Sequence, residues 1–202
     1  MTEIDYFLIK RPLNNDVFCG DTGIIKEFDN KVFVGIADVL GHGEEAHEVA
    51  AICEDFFKKN YTLDLVETLK GLHECIKGSR GAVVGLSLLD LESGELQCTP
   101  MGNITIRMFG SSNTRIISGE GIVGYMMSSP RKEKMKLYDG DVLVLYTDGV
   151  KEHFDQKDYP ELLAHDARTI ATRIMDQFGK EHDDALCIVL KYTRTGTDGG
   201  HR

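Results

Sequence analysis

Aspartates occur at several points where an apolar stretch of the sequence meets a loop. Asp38 follows VFVGIA, Asp148 follows VLVLYT, and Asp183 with Asp184 directly precedes ALCIVLKY. Asp21, in the tripeptide CGD, lies a few residues before the first clear strand pattern. If the ends of these strands meet at one edge of the core, their carboxylates converge, with hardly any lysine or arginine beside them in sequence.

Converging carboxylates must bind either protons or cations, because neighbouring negative charges raise one another's pKa. Mg²⁺ and Mn²⁺ prefer carboxylate, carbonyl and water oxygens, so a two-metal site is one interpretation of this pattern. The other is that each aspartate forms an ordinary turn at the end of a strand. Taken singly, Asp38, Asp148 and Asp183 favour the ordinary turn.

The stretch GIADVLGHGEEAH, residues 35 to 47, allows further interpretations. His42 and His47 are five residues apart, whereas two zinc ligands on one helical turn are four apart, which disfavours zinc. Glycines before a helix can cradle phosphate, but the nucleotide-binding loop ends in Gly-Lys-Ser/Thr, and this stretch does not. His42 could act as a general acid near a leaving oxygen or could shape the loop with its glycines.

Composition and charge limit the classes of partner. The formal net charge is −10, which disfavours nucleic acid or an anionic membrane as the main partner. Five cysteines, without a Cys-x-x-Cys pair or a Cys-x5-Arg loop, favour reduced thiols and disfavour a cysteine-based phosphatase. No apolar run approaches the roughly 18 residues of a membrane helix, and we expect a cytoplasmic protein.

Helical and strand patterns follow the first aspartates. Lys31 to Ala37 (KVFVGIA) is apolar on both faces, which is typical of a strand covered on both sides. Apolar residues at helical spacing predict a helix from Glu44 to Asn60, with acids in its first turn and lysines in its last. A second helix is predicted from about Leu63 to Lys77, with Thr62 as its N-cap and Gly78 as its stop signal.

The remaining sequence predicts mainly strands. Apolar stretches separated by turn residues predict five strands, at 82–89, 96–101, 104–109, 142–146 and 185–192. The first three of these are expected to form an antiparallel meander. The Gly- and Ser-rich segment 110–136 predicts loops with at most short strands. A third helix is predicted from about Pro160 to Phe178.

These elements predict the fold class and the number of domains. Helices grouped between strands that short turns connect favour an α+β fold, with helices packed on antiparallel sheets. A chain of 202 residues fits one domain. We therefore expect a single domain over residues 1–193 and a flexible polar tail at 194–202 (RTGTDGGHR).

Six motifs occur in a fixed order along the chain: CGD, ADVLGHG, RGA, GNITIRM, GDVLVLYTDGVKE and HDDALCIVL. Together they resemble the metal-dependent protein serine/threonine phosphatases (PPM family), in the short bacterial SpoIIE-like branch. The resemblance covers nearly the whole chain. It implies an α-β-β-α sandwich of two antiparallel sheets flanked by helices, which agrees with the α+β class.

The resemblance also implies roles for individual residues. It assigns Asp38 as the carboxylate that bridges two Mn²⁺ or Mg²⁺ ions, and Val39, where many relatives have glycine, as a backbone carbonyl ligand. It implies that the ions activate a water that attacks phosphoserine or phosphothreonine. The other carboxylate ligands, and two residues just behind the ligands, would be Asp21, Asp148 and Asp183, and then Asp184 and Gly149.

The resemblance further implies partners. No sensor, coiled-coil or membrane region accompanies the motifs, which is typical of the small stand-alone phosphatases of the bacterial stressosome. The expected substrates are therefore phosphorylated STAS-domain stressosome proteins, and we expect a monomer. Two alternatives stay open: a phosphatase for an anti-anti-sigma factor in a partner-switching pathway, and a non-catalytic STAS-binding module on the same fold.

Overall fold

The computed structural model of the protein describes residues 2–62, 64–152, 161 and 163–194. It contains three α-helices, α1 (Glu44–Asn60), α2 (Leu65–Cys75) and α3 (Ala167–Phe178), and a short 3-10 turn at Leu13–Asn15. The strands are β1 (Thr2–Arg11), β2 (Asp21–Phe28), β3 (Lys31–Val39), β4 (Ala82–Asp90), β5 (Glu95–Met101), β6 (Thr105–Phe109), β7 (Thr114–Arg115), β8 (Gly121–Ile122), β9 (Met126–Met127), β10 (Glu133–Lys136), β11 (Val142–Tyr146) and β12 (Ala185–Arg194).

Ten of these strands form two five-stranded sheets. Sheet 1 has the order β1-β12-β11-β6-β7, and sheet 2 has the order β10-β5-β4-β3-β2, while β8 and β9 form a separate hairpin. Every pairing between these strands is antiparallel. Among the described residues, no helix is long and apolar enough to cross a membrane.

Three apolar layers hold the sheets and helices together. Val34 and Ile36 of β3 pack in the central layer with Leu143 and Leu145 of β11, so the two sheets lie face to face. Helices α1 and α2 cover the outer face of sheet 2, and α3 covers the outer face of sheet 1. The predicted α-β-β-α sandwich is confirmed, and burial of both sheet faces explains why β11 and residues 32–37 of β3 are apolar.

Packing of α1 on β3 is close enough to require a glycine. A Cβ atom at Gly35 would lie 2.9 Å from the ring of Phe57, so a larger residue at this position would push the helix away. This contact fixes the height of α1 above sheet 2, and therefore the position of the loop between β3 and α1. Asp38 lies on the edge of that loop.

Helix boundaries agree with the sequence in one case and differ in two. α1 runs from Glu44 to Asn60 as predicted. α2 begins at Leu65, because the Asp64 side chain, and not Thr62, accepts the N-terminal N–H of Val66. Residue 63 lies outside the described residues, and Gly78 follows the helix end with φ +84°.

The third helix is shorter than predicted. It begins at Ala167, where the Asp166 carboxylate accepts the Thr169 N–H at 2.9 Å. The predicted start at Pro160 lies outside the described residues, while Glu161 and the described residues from 163 to 166 are not helical. A side-chain cap close to the apolar stripe therefore decides where the helix starts.

Strand connectivity also differs from the sequence-based expectation. β4 and β5 pair, but β6 crosses to sheet 1 and pairs with β11, so the predicted three-strand meander is wrong at its third strand. β1 and β2 were not predicted, since β1 (TEIDYFLIKR) is a half-exposed edge strand with interspersed polar residues. Arg194, expected in the tail, is the last residue of β12, and residues 195–202 lie outside the described residues.

Candidate metal centre

Two of the predicted metal ligands face each other on adjacent strands of sheet 2. Asp21 is the first residue of β2 and Asp38 is the penultimate residue of β3, and the two are direct cross-strand partners. Side chains at such positions project from the same face of a sheet, with Cβ atoms about 4.5–5.5 Å apart. The antiparallel register therefore pairs two carboxylates that are 17 residues apart in sequence, since 38 − 21 = 17.

The other two predicted ligands come from sheet 1. Asp148 lies two residues beyond β11, and Asp183 lies two residues before β12. Because β11 and β12 are antiparallel neighbours with Tyr146 opposite Cys187, the two loops leave the sheet side by side. The ends of β11 and β12 that carry these aspartates therefore lie at one edge of the sheet, as the sequence-based prediction expected.

A buried threonine connects the two sheets at this edge. The Thr147 hydroxyl donates a hydrogen bond to Asp21 Oδ2 at 2.7 Å, and the Leu186 N–H donates to Thr147 Oγ1 at 2.9 Å. Asp21 has only 1% of its surface exposed. A charged acceptor buried with one neutral donor needs further compensation, which bound cations would supply.

Asp184 is engaged by the backbone and not by the other carboxylates. Its two oxygens accept the N–H groups of Leu13 and Gly20, both at 2.7 Å. Gly149 lies against the Asp184 main chain, where an added Cβ would come within 1.8 Å of the carbonyl oxygen. Both residues therefore shape the loops that carry Asp148 and Asp183, which suits positions behind the ligands.

The electrostatics of the cluster show that its charges oppose one another. Burial, and then the charges of Asp148, Asp183 and Asp184, raise the pKa of Asp38 to about 7. Burial and the Asp38 carboxylate raise the pKa of Asp21 well above its usual range. The pKa of Asp183 is also raised, by burial and by Asp148. These raised pKa values favour protonated carboxylates at higher pH than usual, unless cations replace the protons.

The donor chemistry fits hard divalent cations. Carboxylate oxygens from both sheets converge there, and Val39, whose side chain is buried beneath α1, has only its backbone carbonyl to offer. Within the described ranges, no three His, Cys, Asp or Glu side chains are already drawn together as a metal-binding group. Carboxylate, carbonyl and water oxygens are the ligands that Mg²⁺ and Mn²⁺ prefer.

A cavity of about 400 Å³ opens over the aspartates. Asp38, Asp148 and Asp183 line it together with His42 and Asn103. His42 is exposed, so its imidazole lies in contact with solvent at the rim of the cavity. The position is compatible with a general acid, and that role stays a prediction.

Two polar residues at this site were not singled out from the sequence. The Asn103 side-chain amide donates to Asp148 Oδ2 at 2.8 Å, and Lys180 lowers the pKa of Asp38 and of Asp183 through its charge. Asn103 was visible in the motif GNITIRM, directly before β6. Lys180 lies three residues before Asp183. The sequence analysis expected hardly any lysine or arginine beside the aspartates and did not consider this residue.

Replacing Asn103 with alanine is expected to weaken metal activation. Asp148 would lose the donor that orients its carboxylate, and loss of such a partner typically reduces metal affinity or activity about 10–100-fold. The measurement is the Mn²⁺ concentration that gives half-maximal phosphatase activity. Asn113→Ala, at an exposed loop position, is the control. Unchanged Mn²⁺ dependence in Asn103→Ala would contradict a positioning role.

The sandwich of two antiparallel sheets, with carboxylates gathered at one end, defines the PPM class of metal-dependent protein phosphatases. These enzymes use Mn²⁺ or Mg²⁺. The family model of the stage II sporulation protein E (SpoIIE) matches residues 29–193, and the chain belongs to this SpoIIE family as a protein serine/threonine phosphatase. The sequence-based recognition is therefore confirmed, although Asp21 lies outside the matched range.

Solved structures show the same fold. A structure described as "The bacterial stressosome: a modular system that has been adapted to control secondary messenger signaling" is 25% identical, with a TM-score of 0.86, and the match covers 93% of this chain and 99% of that one. RsbX in complex with magnesium is 17% identical, with a TM-score of 0.80 and coverage of 96% and 99%. The phosphatase domain of SpoIIE from Bacillus subtilis, solved with a fragment of its regulatory domain, is 15% identical, with a TM-score of 0.79 and coverage of 96% of this chain and 64% of that one.

Proposed function

We propose that this protein dephosphorylates STAS-domain stressosome proteins with two Mn²⁺ or Mg²⁺ ions bound at the candidate metal centre. Asp38 would bridge the ions, and Asp21, Asp148 and Asp183 would complete the carboxylate ligands. The Val39 carbonyl would serve as a further ligand. From the family resemblance we also propose a cytoplasmic, monomeric enzyme.

The observation that carries the proposal is the meeting of the Asp21–Asp38 pair with the Asp148 and Asp183 loops. Burial, and then neighbouring negative charge, raise the pKa of Asp21, Asp38 and Asp183, so binding of divalent cations in place of protons would be favourable. An ordinary turn at each strand end would not need all four carboxylates at one edge. The donor set is composed of oxygen, as Mg²⁺ and Mn²⁺ prefer.

The chain's own residues have distinct tasks in such a reaction. When bound, the ions would supply Lewis-acid charge for the phosphoryl oxygens and make a water acidic enough to attack near neutral pH. Asn103 orients Asp148, and Thr147 holds Asp21. His42, at the cavity rim, would donate a proton to the leaving seryl or threonyl oxygen.

The substrate proposal is supported by similarity to two proteins. One similar structure comes from work on the bacterial stressosome, and another is RsbX, and the match covers 99% of each. A phosphatase domain can recognise a partner protein with its own surface. A folded scaffold protein that presents a phosphorylated loop is a substrate of this kind.

The experiment is phosphate release from phosphorylated STAS-domain proteins, with and without Mn²⁺. Wild type is expected to be active only with metal, and Asp148→Asn is expected to lose about 100-fold or more in rate, because one ligand loses its charge. Asp176→Asn, an exposed aspartate on α3, is the matched control and should behave as wild type.

Three outcomes would change the proposal. Full Mn²⁺-dependent activity in Asp148→Asn would overturn the ligand assignment. Activity on a phosphorylated anti-anti-sigma factor, with none on stressosome proteins, would move the substrate to a partner-switching pathway. Binding to the STAS protein without metal binding or phosphate release would indicate a non-catalytic binding module.

A further inference from the structure

A second cavity, of about 310 Å³, lies next to the first. Asp148 lines both cavities, so a group bound in the second lies directly beside the metal centre. The second cavity has hydroxyl, apolar and charged walls, formed by Thr105, Tyr146, Asp148, Val150, Lys151, Glu152 and Lys180. It has no role in the proposed metal chemistry.

Two short backbone segments place lysines in this cavity. The Lys151 N–H donates to the Phe178 carbonyl at 2.8 Å, and the Lys180 N–H donates to the Gly149 carbonyl at 2.7 Å. These bonds pair the loop after β11 with the loop after α3, around an antiparallel bridge between Val150 and Gly179. Both lysines are therefore held by main-chain pairing, although they are far apart in sequence.

A third contact fixes the Lys180 backbone further. The Arg11 guanidinium donates to the Lys180 carbonyl at 2.6 Å, and a Cβ at Gly179 would come within 2.6 Å of the same guanidinium. Strand β1, through Arg11, thus supports the loop that carries Lys180. The lysine is therefore held at its main chain, and it lines the cavity.

The ammonium groups of both lysines are available to a ligand. Within the described part of the chain, neither Lys151 nor Lys180 has a side-chain hydrogen bond or an ion pair. Arg115, by contrast, is already paired with Glu152 at 2.8 Å.

Lys180 lies close to the proposed metal centre, because it lines the second cavity together with Asp148. Two ammonium groups without a side-chain partner favour a negatively charged ligand in this cavity, since a carboxylate would form charge-assisted hydrogen bonds with them.

We propose that the second cavity is a specificity subsite in which Lys151 and Lys180 bind the carboxylate of an aspartate or glutamate flanking the phosphoresidue of the substrate protein. The phosphoresidue would occupy the first cavity and its acidic neighbour the second, with Asp148 between them. The inference rests on the proposed function, because it requires a phosphorylated protein chain at the metal centre. It adds a sequence preference that the metal chemistry alone does not supply.

The test compares phosphoserine peptides that differ by one residue. A single glutamate is placed in turn at each position from three residues before to three residues after the phosphoserine, with glutamine as the uncharged counterpart. For each pair, kcat/KM is measured with saturating Mn²⁺. Wild type is expected to prefer glutamate about tenfold or more at one or two positions, as a charge-assisted contact to lysine allows.

Variants at the lysines then locate the preference. Lys180→Ala and Lys151→Ala should each reduce the glutamate-to-glutamine ratio severalfold, and Lys180→Glu should invert it, with the ratio cancelling any general loss of activity. Lys134→Ala, an exposed lysine on β10, is the matched control and should keep the wild-type ratio. Circular dichroism of each variant checks that it folds.

The outcomes separate this inference from the proposed function. If wild type hydrolyses the peptides without a preference, or if both lysine variants keep the preference, the subsite is overturned while the phosphatase remains. If Lys180→Ala and Lys151→Ala lower kcat/KM for glutamate and glutamine peptides equally, the ratio is unchanged and the subsite is again overturned. If wild type releases no phosphate from any peptide or phosphoprotein, the proposed function itself fails.

Discussion

Asp38→Asn is expected to stabilise the metal-free protein at pH 8 and to abolish its phosphatase activity. Burial and neighbouring carboxylates raise the pKa of Asp38 to about 7, above the ordinary aspartate value of 3.8. The folded state therefore binds more protons than the unfolded state between roughly pH 4 and pH 7, and its free energy of unfolding falls as pH rises through that window. At pH 8 the charged carboxylate destabilises the fold, and neutral asparagine removes this effect.

The expected gain is about 2 kcal/mol at pH 8, less than the full pKa shift implies because solvent relaxes around the site. The expected loss of activity is about 10³-fold or more, since Asp38 in its proposed role would contribute to binding both ions. Urea unfolding in EDTA measures the first quantity, and phosphate release with Mn²⁺ measures the second. A gain in stability together with a loss of activity distinguishes a functional carboxylate from a structural one.

The pH dependence and a control sharpen this test. At pH 4 or below, Asp38 is protonated in the wild type, so the stability difference from Asp38→Asn should disappear. Asp176→Asn removes the same charge from an exposed position on α3 and should alter neither stability nor activity appreciably. An Asp38→Asn protein that is less stable than wild type at pH 8 would contradict the electrostatic account.

Mn²⁺ is expected to stabilise the wild-type protein strongly at pH 8 and only weakly at pH 5. Metal and protons compete for Asp21 and Asp38, whose raised pKa values favour the proton at the lower pH. At a metal concentration 1,000-fold above Kd, the gain is about 4 kcal/mol. For a chain of this size, that gain corresponds to roughly 10 °C in Tm.

Thermal unfolding at a series of pH values, with Mn²⁺ or with EDTA, measures this effect. Asp38→Asn should show little Mn²⁺-dependent shift at any pH, while Asp176→Asn should reproduce the wild-type series. Equal Mn²⁺ stabilisation of wild type at pH 5 and pH 8 would show that the metal binds elsewhere. Stronger stabilisation at pH 8 than at pH 5 with Mg²⁺ as well, at a higher concentration, would support either ion as the cofactor.

Elements with strong local signals were predicted well from the sequence. α1 has an apolar stripe, acids at its start and lysines at its end, and its predicted bounds match the structure. The buried strands at β3 and β11 were predicted because both of their faces are apolar. The starts of α2 and α3 were misplaced, because each depends on a single capping side chain, Asp64 for α2 and Asp166 for α3.

Elements with weak local signals were missed or misplaced. β1 is an edge strand, so it carries polar residues and lacks a continuous apolar run. β6 was assigned to a meander because it follows β5 after a short turn, but its partner is β11, 33 residues away in the register Val142–Phe109 (142 − 109 = 33). Local sequence records the tendency to form a strand and not the choice of partner.

The sequence determined the chemistry of the site, because residue type and the position of each aspartate at a strand end specify an oxygen ligand beside a buried core. Tertiary structure decided which carboxylates meet: register sets Asp21 opposite Asp38, and Thr147 joins them to the end of sheet 1. It also brought Lys151 and Lys180 to one cavity through main-chain pairing between two loops. Such contacts depend on the packing and register of strands that are distant in sequence, so no short stretch of the chain can specify them.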